Sequence, residues 1–230
     1  APIIIIGLAR SGVAAYNLLL ESGFSEDQII TYDEHRPEAK IKTEQELDHL
    51  SNIKTAVVSP GVPLTKRFIV RWRQQGIVIT SEINLALSQI TDEKIIGITG
   101  SLGKSTITSL IGAGVHTFDP LAFVGGNLGI PFCEYALNIK KHPELKATWV
   151  VLELSSYQLE NSELLEVDYS LISYLSPNHL ERYKDLNDYY ETKWSLLERT
   201  KNTLILNRNG GDLYSFASAK SSPKIKWSNP

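Results

Sequence analysis

The 230-residue chain contains no methionine, not even at position 1, and a single cysteine, Cys133. The missing initiator points to a start that was processed or trimmed. One cysteine cannot close an intramolecular disulfide or build a cysteine-rich metal site, and Cys133 is expected as a small buried apolar side chain. A large excess of either charge is also lacking: 23 basic against 26 acidic residues give a net charge of −3, which argues against a nucleic-acid partner held by phosphate contacts. Long apolar runs are missing: Ile3–Ile6 is the only one near the N-terminus, too short for a signal peptide or a membrane span. A cytoplasmic protein with no membrane partner is therefore expected. What is present, 42% hydrophobic and 21% charged residues, supports a packed core over disorder. The length suits one large or two modest domains.

The most informative stretch runs from Lys94 to Thr106. Ile95-Ile96-Gly97-Ile98 reads as a buried strand, and Gly100-Ser101-Leu102-Gly103 as a glycine-rich turn. Lys104-Ser105-Thr106 opens a segment whose apolar residues Ile107, Leu110 and Ile111 recur at helical spacing. Strand, glycine loop, Lys-Ser and helix make a phosphate cradle. The glycines let backbone N–H groups approach an anion, and the helix N-terminus adds partial positive charge. In that reading Lys104 reaches the β- and γ-phosphates of a nucleotide and the Ser105 hydroxyl serves Mg²⁺. The full P-loop pattern is not met, because Ile98 occupies the position of its first glycine. An ordinary strand-to-helix turn with an exposed lysine stays open as the alternative.

Before this stretch, strands alternate with helices. Ile3–Ile6 is a strand, Gly7-Leu8-Ala9-Arg10-Ser11-Gly12 a degenerate dinucleotide fingerprint, and Val13 to Leu20 a helix. Ile29 to Asp33 is a second strand ending in a carboxylate, about 20 residues after the loop, where an acid can accept from a ribose hydroxyl. Thr55–Ser59 and Ile77–Thr80 are further strands, with a Pro60-Gly61-Val62-Pro63 turn between them. The alternation predicts α/β architecture with doubly wound parallel sheets. Polar residues from Gln89 to Glu93 mark a boundary between a Rossmann-like domain, residues 1–90, and a P-loop-ATPase-like domain, residues 94–230.

In the second half, Gly125-Gly126-Asn127-Leu128-Gly129 is a loop demanding special backbone geometry. Ala147–Glu153 is a strand ending in an acid, where Glu153 can serve Mg²⁺ or a water, or simply a helix dipole. Leu154-Ser155-Ser156-Tyr157-Gln158-Leu159 follows it. Tyr169–Tyr174 is a strand leading to Ser176-Pro177-Asn178-His179, Tyr183 to Leu197 a helix carrying Lys193, and Thr203–Asn207 another strand. Taken alone, His179 reads as a surface or packed residue and Lys193 as a solvated helix lysine.

In order and spacing, these motifs resemble the Mur ligases. They are Gly97 to Thr106, Gly125 to Gly129, Glu153-Leu154-Ser155-Ser156-Tyr157-Gln158-Leu159-Glu160, Ser176 to Tyr183, and Lys193. Within the family the Glu-Leu-Ser-Ser-Tyr-Gln-Leu run points to the D-glutamate-adding branch. The resemblance implies ATP-dependent amide-bond formation in peptidoglycan precursor synthesis. ATP phosphorylates the carboxylate of UDP-N-acetylmuramoyl-L-alanine, and the amine of D-glutamate attacks the acyl phosphate. It further implies ATP binding by Gly100, Ser101, Gly103, Lys104, Ser105 and Thr106, with Lys104, His179 and Lys193 catalytic. One Mg²⁺ would sit on Ser105 and Glu153, a second on His179 and a carbamylated Lys193. Arg10, Ser11, Asp33, Gly61, Asn127, Ser155, Gln158 and His179 would hold the uridine-nucleotide substrate.

The pattern departs from the family at Leu102, where asparagine is usual, and at Asn178 and Glu181. The family's C-terminal, D-glutamate-binding domain has no counterpart here, so these 230 residues are expected not to ligate alone; a monomer is expected. D-glutamate-driven phosphate release from ATP would overturn that. Two other readings stay open: a nicotinamide-dependent oxidoreductase, resting on Gly7–Gly12 and Asp33, and a non-catalytic nucleotide- or UDP-sugar-binding module, resting on Leu102.

Overall fold

The computed structural model describes residues 1–50 and 52–228 and divides the chain into two compact units, each an α/β sandwich. The first comprises residues 1–91 and 131–144, the second residues 92–130 and 145–230. The break after Thr91 lies within the polar stretch at 89–93. The expectation of one continuous second domain over 94–230 needs correction at 131–144, which clusters with the first unit.

In the first unit, β1 (Ile3–Ile6), α1 (Arg10–Glu21), β2 (Ile29–Tyr32), α2 (Glu44–Leu47), β3 (Thr55–Val58), α3 (Arg67–Gln74), β4 (Val78–Thr80) and α4 (Glu82–Leu87) follow one another. The sheet is wholly parallel in the order β2-β1-β3-β4. Its β-branched strands are covered on one face by Phe68, Ile69 and Trp72 of α3, which pack against Ile4, Ile6, Ala56 and Val58. Phe68 meets Tyr32 and Trp72 edge-on at centroid distances of 5.8 and 5.2 Å. Trp72 is almost wholly buried. Trp72→Ala is expected to destabilise the protein by about 3–5 kcal/mol, read as a lowered urea midpoint.

The helix at 131–144 escapes the sequence reading. It is α6 (Phe132–Lys141), whose buried residues Phe132, Cys133, Tyr135, Ala136 and Ile139 face α1 and α4. Cys133 lies here, buried as expected. Its N–H donates to Glu82 Oε2 at 3.1 Å and its thiol to the Glu82 carbonyl at 3.1 Å. Burial, then the Glu82 carboxylate, pushes the thiol pKa well up.

The second unit comprises β5 (Lys94–Thr99), α5 (Lys104–His116), β6 (Phe123–Gly126), β7 (Trp149–Glu153), α7 (Ser156–Leu159), β8 (Val167–Ile172), α8 (Leu186–Trp194), β9 (Thr200–Asn207), α9 (Leu213–Ala217) and β10 (Ile225–Ser228). Its parallel sheet runs β10-β9-β8-β5-β7-β6. The strand that feeds the glycine loop is thus flanked by β7 and β8, the centre at which ligands collect beyond strand ends. The α5 face holds Ile98, Val115, Ala122 and Val151. The other face holds Ile172, Leu204 and Leu206 under Tyr189, Tyr190, Trp194 and Leu213. The helix expected from Tyr183 begins only at Leu186, because Asp185 caps it by accepting the Asp188 N–H at 2.8 Å.

Candidate functional site

In the second unit Gly100 takes φ +148° and Gly103 φ +79°, a backbone open to glycine and rarely to other residues. A Cβ on Gly100 would lie 2.1 Å from Ser173 Oγ. The turn delivers the chain into α5 with Gly103 as N-cap. No side chain caps this end, and no acid sits in the first turn. Ser105 and Thr106 are exposed there. The helix N-terminus therefore presents N–H groups and dipole to an incoming anion.

Lys104 folds back, its Nζ donating to the carbonyls of Gly100 at 2.9 Å and Ser101 at 3.4 Å. Lys193 Nζ donates to the same Gly100 carbonyl at 2.9 Å. Lys193 is 2% exposed, which overturns its reading as a solvated helix lysine. Burial, with Lys104 adding to it and Glu153 opposing, lowers its pKa to about 7. Burial also lowers the pKa of Lys104, with Glu153 opposing. The two amines and the acid thus sense one another electrostatically.

Glu153 ends β7 in register with Ile98 of β5 and Gly126 of β6, and it is 1% exposed. Its Oε1 accepts from Asn127 Nδ2 at 2.6 Å, while Oε2 is buried with no hydrogen-bond partner among the described residues. A buried carboxylate oxygen is costly to leave unpaired. This one suits a cation shared with phosphate oxygens, as Mg²⁺ prefers. Gly126 and Gly129 have φ of +97° and +64°, the special geometry expected of that loop, and they bring the Asn127 N–H to the Glu153 carbonyl at 2.9 Å. Asn127, assigned by resemblance to substrate, here holds the acid in place.

Other expected residues are similarly engaged. Ser155 and Gln158 form a reciprocal cap on α7: Ser155 Oγ accepts the Gln158 N–H at 3.2 Å, and Gln158 Oε1 accepts the Ser155 N–H at 3.0 Å. Ser101 donates its N–H to the Tyr174 carbonyl at 2.7 Å and its hydroxyl to the Ser176 carbonyl at 2.9 Å. Leu102 leaves its side chain 57% exposed, and its carbonyl accepts from Ser173 Oγ at 2.6 Å. The loop is thus shaped without a polar side chain at 102.

His179 is engaged beside Tyr157 and Glu181. It adopts φ +54°, lies 5.1 Å from the Tyr157 ring and has Nδ1 3.7 Å from Glu181. Arg182 stacks on Tyr157 at 4.1 Å and pairs with Glu160 at 2.8 Å. Among the described residues no group of three or more His, Cys, Asp or Glu could hold a metal unaided.

In the first unit, Asp33 just beyond β2 ties the glycine loop down. Its Oδ2 accepts from the Leu8 N–H at 2.7 Å, and its Oδ1 from the N–H groups of His35 and Arg36 at 2.9 and 3.2 Å. Burial works against its charge, but these three N–H donors outweigh it and lower its pKa. Asp33, Gly61, Gly7, His35 and Lys66 line a cleft of about 260 Å³. Arg10 and Ser11 open α1, which has neither a side-chain cap nor a first-turn acid. Gly12 permits close approach of helix and loop: a Cβ there would lie 1.9 Å from the Gly7 carbonyl oxygen.

Ser173 and Tyr189, both bonded to the glycine loop, went unnoticed in the sequence. Tyr189 alone carried a signal, standing four residues before Lys193 on one helix face.

The buried Lys193 supplies a pH test. Its folded pKa of about 7 lies below the ordinary lysine value of 10.5, so the unfolded chain binds more protons between about pH 7 and 10.5. This group therefore makes stability rise with pH over that window. Lys193→Met is expected to flatten the rise, measured as the difference between wild-type and variant urea midpoints at pH 7 and pH 9.5.

The second unit is a parallel α/β domain with a glycine turn leading into a helix and a buried acid at the tip of an adjacent strand, and a Rossmann-like sheet precedes it in the chain. Residues 98–229 match the Mur ligase middle domain. The chain belongs to the Mur ligase family. It is 37% identical over 225 residues to the UDP-N-acetylmuramoylalanine–D-glutamate ligase of Rippkaea orientalis, covering 91% of this chain and 48% of the relative. The ligase of the same name from Synechococcus sp. (strain CC9902) is 34% identical, with 91% and 49% covered. The chain thus spans about half the length of the curated relatives it matches. Among solved structures, the UDP-N-acetylmuramate:L-alanyl-gamma-D-glutamyl-meso-diaminopimelate ligase from Neisseria meningitides superposes with TM-score 0.59 at 14% identity, covering 98% of this chain and 76% of that one. The murein peptide ligase from Psychrobacter arcticus gives 0.52 at 13%, covering 98% and 52%. At such identities these two likenesses bear on the fold alone. Among the described residues, no helix is long and apolar enough to cross a membrane.

Proposed function

We propose that this chain supplies the uridine-nucleotide and ATP-binding parts of a ligase joining D-glutamate to UDP-N-acetylmuramoyl-L-alanine in peptidoglycan precursor synthesis. The observation that carries the ATP half is the meeting of Lys104, Lys193 and a Glu153 oxygen without a partner around one glycine loop. The names of the relatives narrow the substrates.

In this reading Gly100, Gly103, Ser105 and Thr106 cradle the triphosphate, and Lys104 leaves its loop carbonyls for the phosphate oxygens. Ser105 and Glu153 would hold one Mg²⁺, whose charge offsets repulsion between the phosphates and the attacking carboxylate. The donor set fits: one buried acid, one exposed hydroxyl, and phosphates from the substrate. The second Mg²⁺ implied by resemblance has less support: His179 lies beside Tyr157 and Glu181, while Lys193 donates to the Gly100 carbonyl. Lys193, with its pKa lowered to about 7, is about half uncharged near neutral pH, and the uncharged amine is the form whose lone pair can add to carbon dioxide. An N–C bond forms, one proton leaves to solvent, and an oxygen-donor anion results. In the first unit the cleft at Asp33 and Gly61 would take the uridine, with Arg10 and Ser11 at the helix end beside the diphosphate.

Thermal unfolding with each ligand tests the proposal. UDP-N-acetylmuramoyl-L-alanine and ATP·Mg²⁺ should each raise the midpoint, and together raise it further. A ligand at one hundred times its dissociation constant adds about 2.7 kcal/mol. NAD should leave the midpoint where it was. Stabilisation by NAD alone would replace this proposal with an oxidoreductase.

A further inference from the structure

We propose that Tyr189 is a positioning residue for the glycine loop: its hydroxyl fixes Ser101, and through Ser101 the path of the amides from Gly100 to Lys104. The inference rests on the ligase proposal only in taking that loop to receive the triphosphate.

Ser101 Oγ has three partners. It accepts from Tyr189 OH at 3.1 Å and from the Ser176 N–H at 3.1 Å, and it donates to the Ser176 carbonyl at 2.9 Å. That fills the capacity of a hydroxyl. The Ser101 N–H is already spent on the Tyr174 carbonyl. Ser101 therefore offers a nucleotide nothing in this conformation, and its side chain serves to hold the loop.

Tyr189 is itself immobilised. It is 1% exposed, its ring lies 5.2 Å from Tyr183 and 5.7 Å from Tyr190, and Lys193 Nζ stands 4.9 Å above it. The four-residue spacing puts Tyr189 and Lys193 on one face of α8. The helix thus grips two successive loop residues, Ser101 by the phenol and Gly100 by the amine. Ser173, just beyond β8, completes the clamp by donating to the carbonyls of Thr99 at 3.2 Å and Leu102 at 2.6 Å. Ordered amides bind an anion without first losing freedom, so a slack loop would bind more weakly.

The test uses Tyr189→Phe, Ser101→Ala and the double variant. Tyr189→Phe keeps the ring and its packing and removes only the hydroxyl. Hydrogen exchange read by mass spectrometry should rise severalfold in peptides covering residues 100–104 and stay unchanged in β1 and β9. Affinity for a fluorescent ATP analogue with Mg²⁺ should fall about 3- to 10-fold, the span of one neutral hydrogen bond. The double variant should lose no more than the weaker-binding single variant. Unchanged loop exchange in Tyr189→Phe, or losses that add in the double variant, would overturn the assignment. Failure of the wild-type chain to bind the analogue would count against the ligase proposal instead, and the exchange result alone would still decide the role of Tyr189.

Discussion

Lys104→Ala is expected to weaken ATP·Mg²⁺ binding by about 10- to 100-fold, the worth of a charge-assisted hydrogen bond to phosphate, while leaving the fold intact. Among the described residues the lysine donates to the carbonyls of Gly100 and Ser101, and burial already disfavours its charge. Its loss should therefore cost little stability. Affinity for UDP-N-acetylmuramoyl-L-alanine should not change, because Asp33, Gly61 and the α1 N-terminus belong to the other unit. Titration calorimetry with each ligand checks both halves. An unchanged ATP affinity would mean that the loop is an ordinary strand-to-helix turn.

Gly12→Ala carries the second large effect, in the first unit. The added methyl would lie 1.9 Å from the Gly7 carbonyl oxygen, a backbone atom that no rotamer change can move. Either α1 shifts away from the loop or the loop abandons Asp33, whose Oδ2 accepts the Leu8 N–H. Overpacking of this kind costs about 1–3 kcal/mol, and the upper end is expected. Hydrogen exchange should localise the loss to residues 3–33 and spare β5 to β9, with affinity for the uridine nucleotide falling in parallel. A variant as stable as the wild type, with uridine-nucleotide affinity retained, would show that helix and loop do not need this approach.

Most of the strands were legible because buried parallel strands are short runs rich in β-branched residues, several of them followed closely by glycine. Ile3–Ile6, Thr55–Val58 and Lys94–Thr99 needed no tertiary information. The glycine turn was legible for a related reason: the positive φ of Gly100 and Gly103 is a matter of local backbone geometry. Membership of α6 in the first unit was not legible, since nothing within residues 132–141 says which sheet they join. The burial of Lys193 was equally hidden. Its helical neighbours Glu191 and Thr192 are polar, and only the fold directs its amine at Gly100. Asn127, Ser155 and Gln158 look like free polar groups in the sequence. The structure engages each with a neighbour, Asn127 on Glu153 and the other two on one another.

The most direct measurement is a crystal structure of the chain with a non-hydrolysable ATP analogue and Mg²⁺. The account predicts the triphosphate in the Gly100–Ser105 cradle, Lys104 Nζ moved from the Gly100 carbonyl to a phosphate oxygen, and Glu153 Oε2 facing the metal. A cradle still closed on Lys104, with the nucleotide elsewhere and Glu153 Oε2 still without a partner, would contradict it.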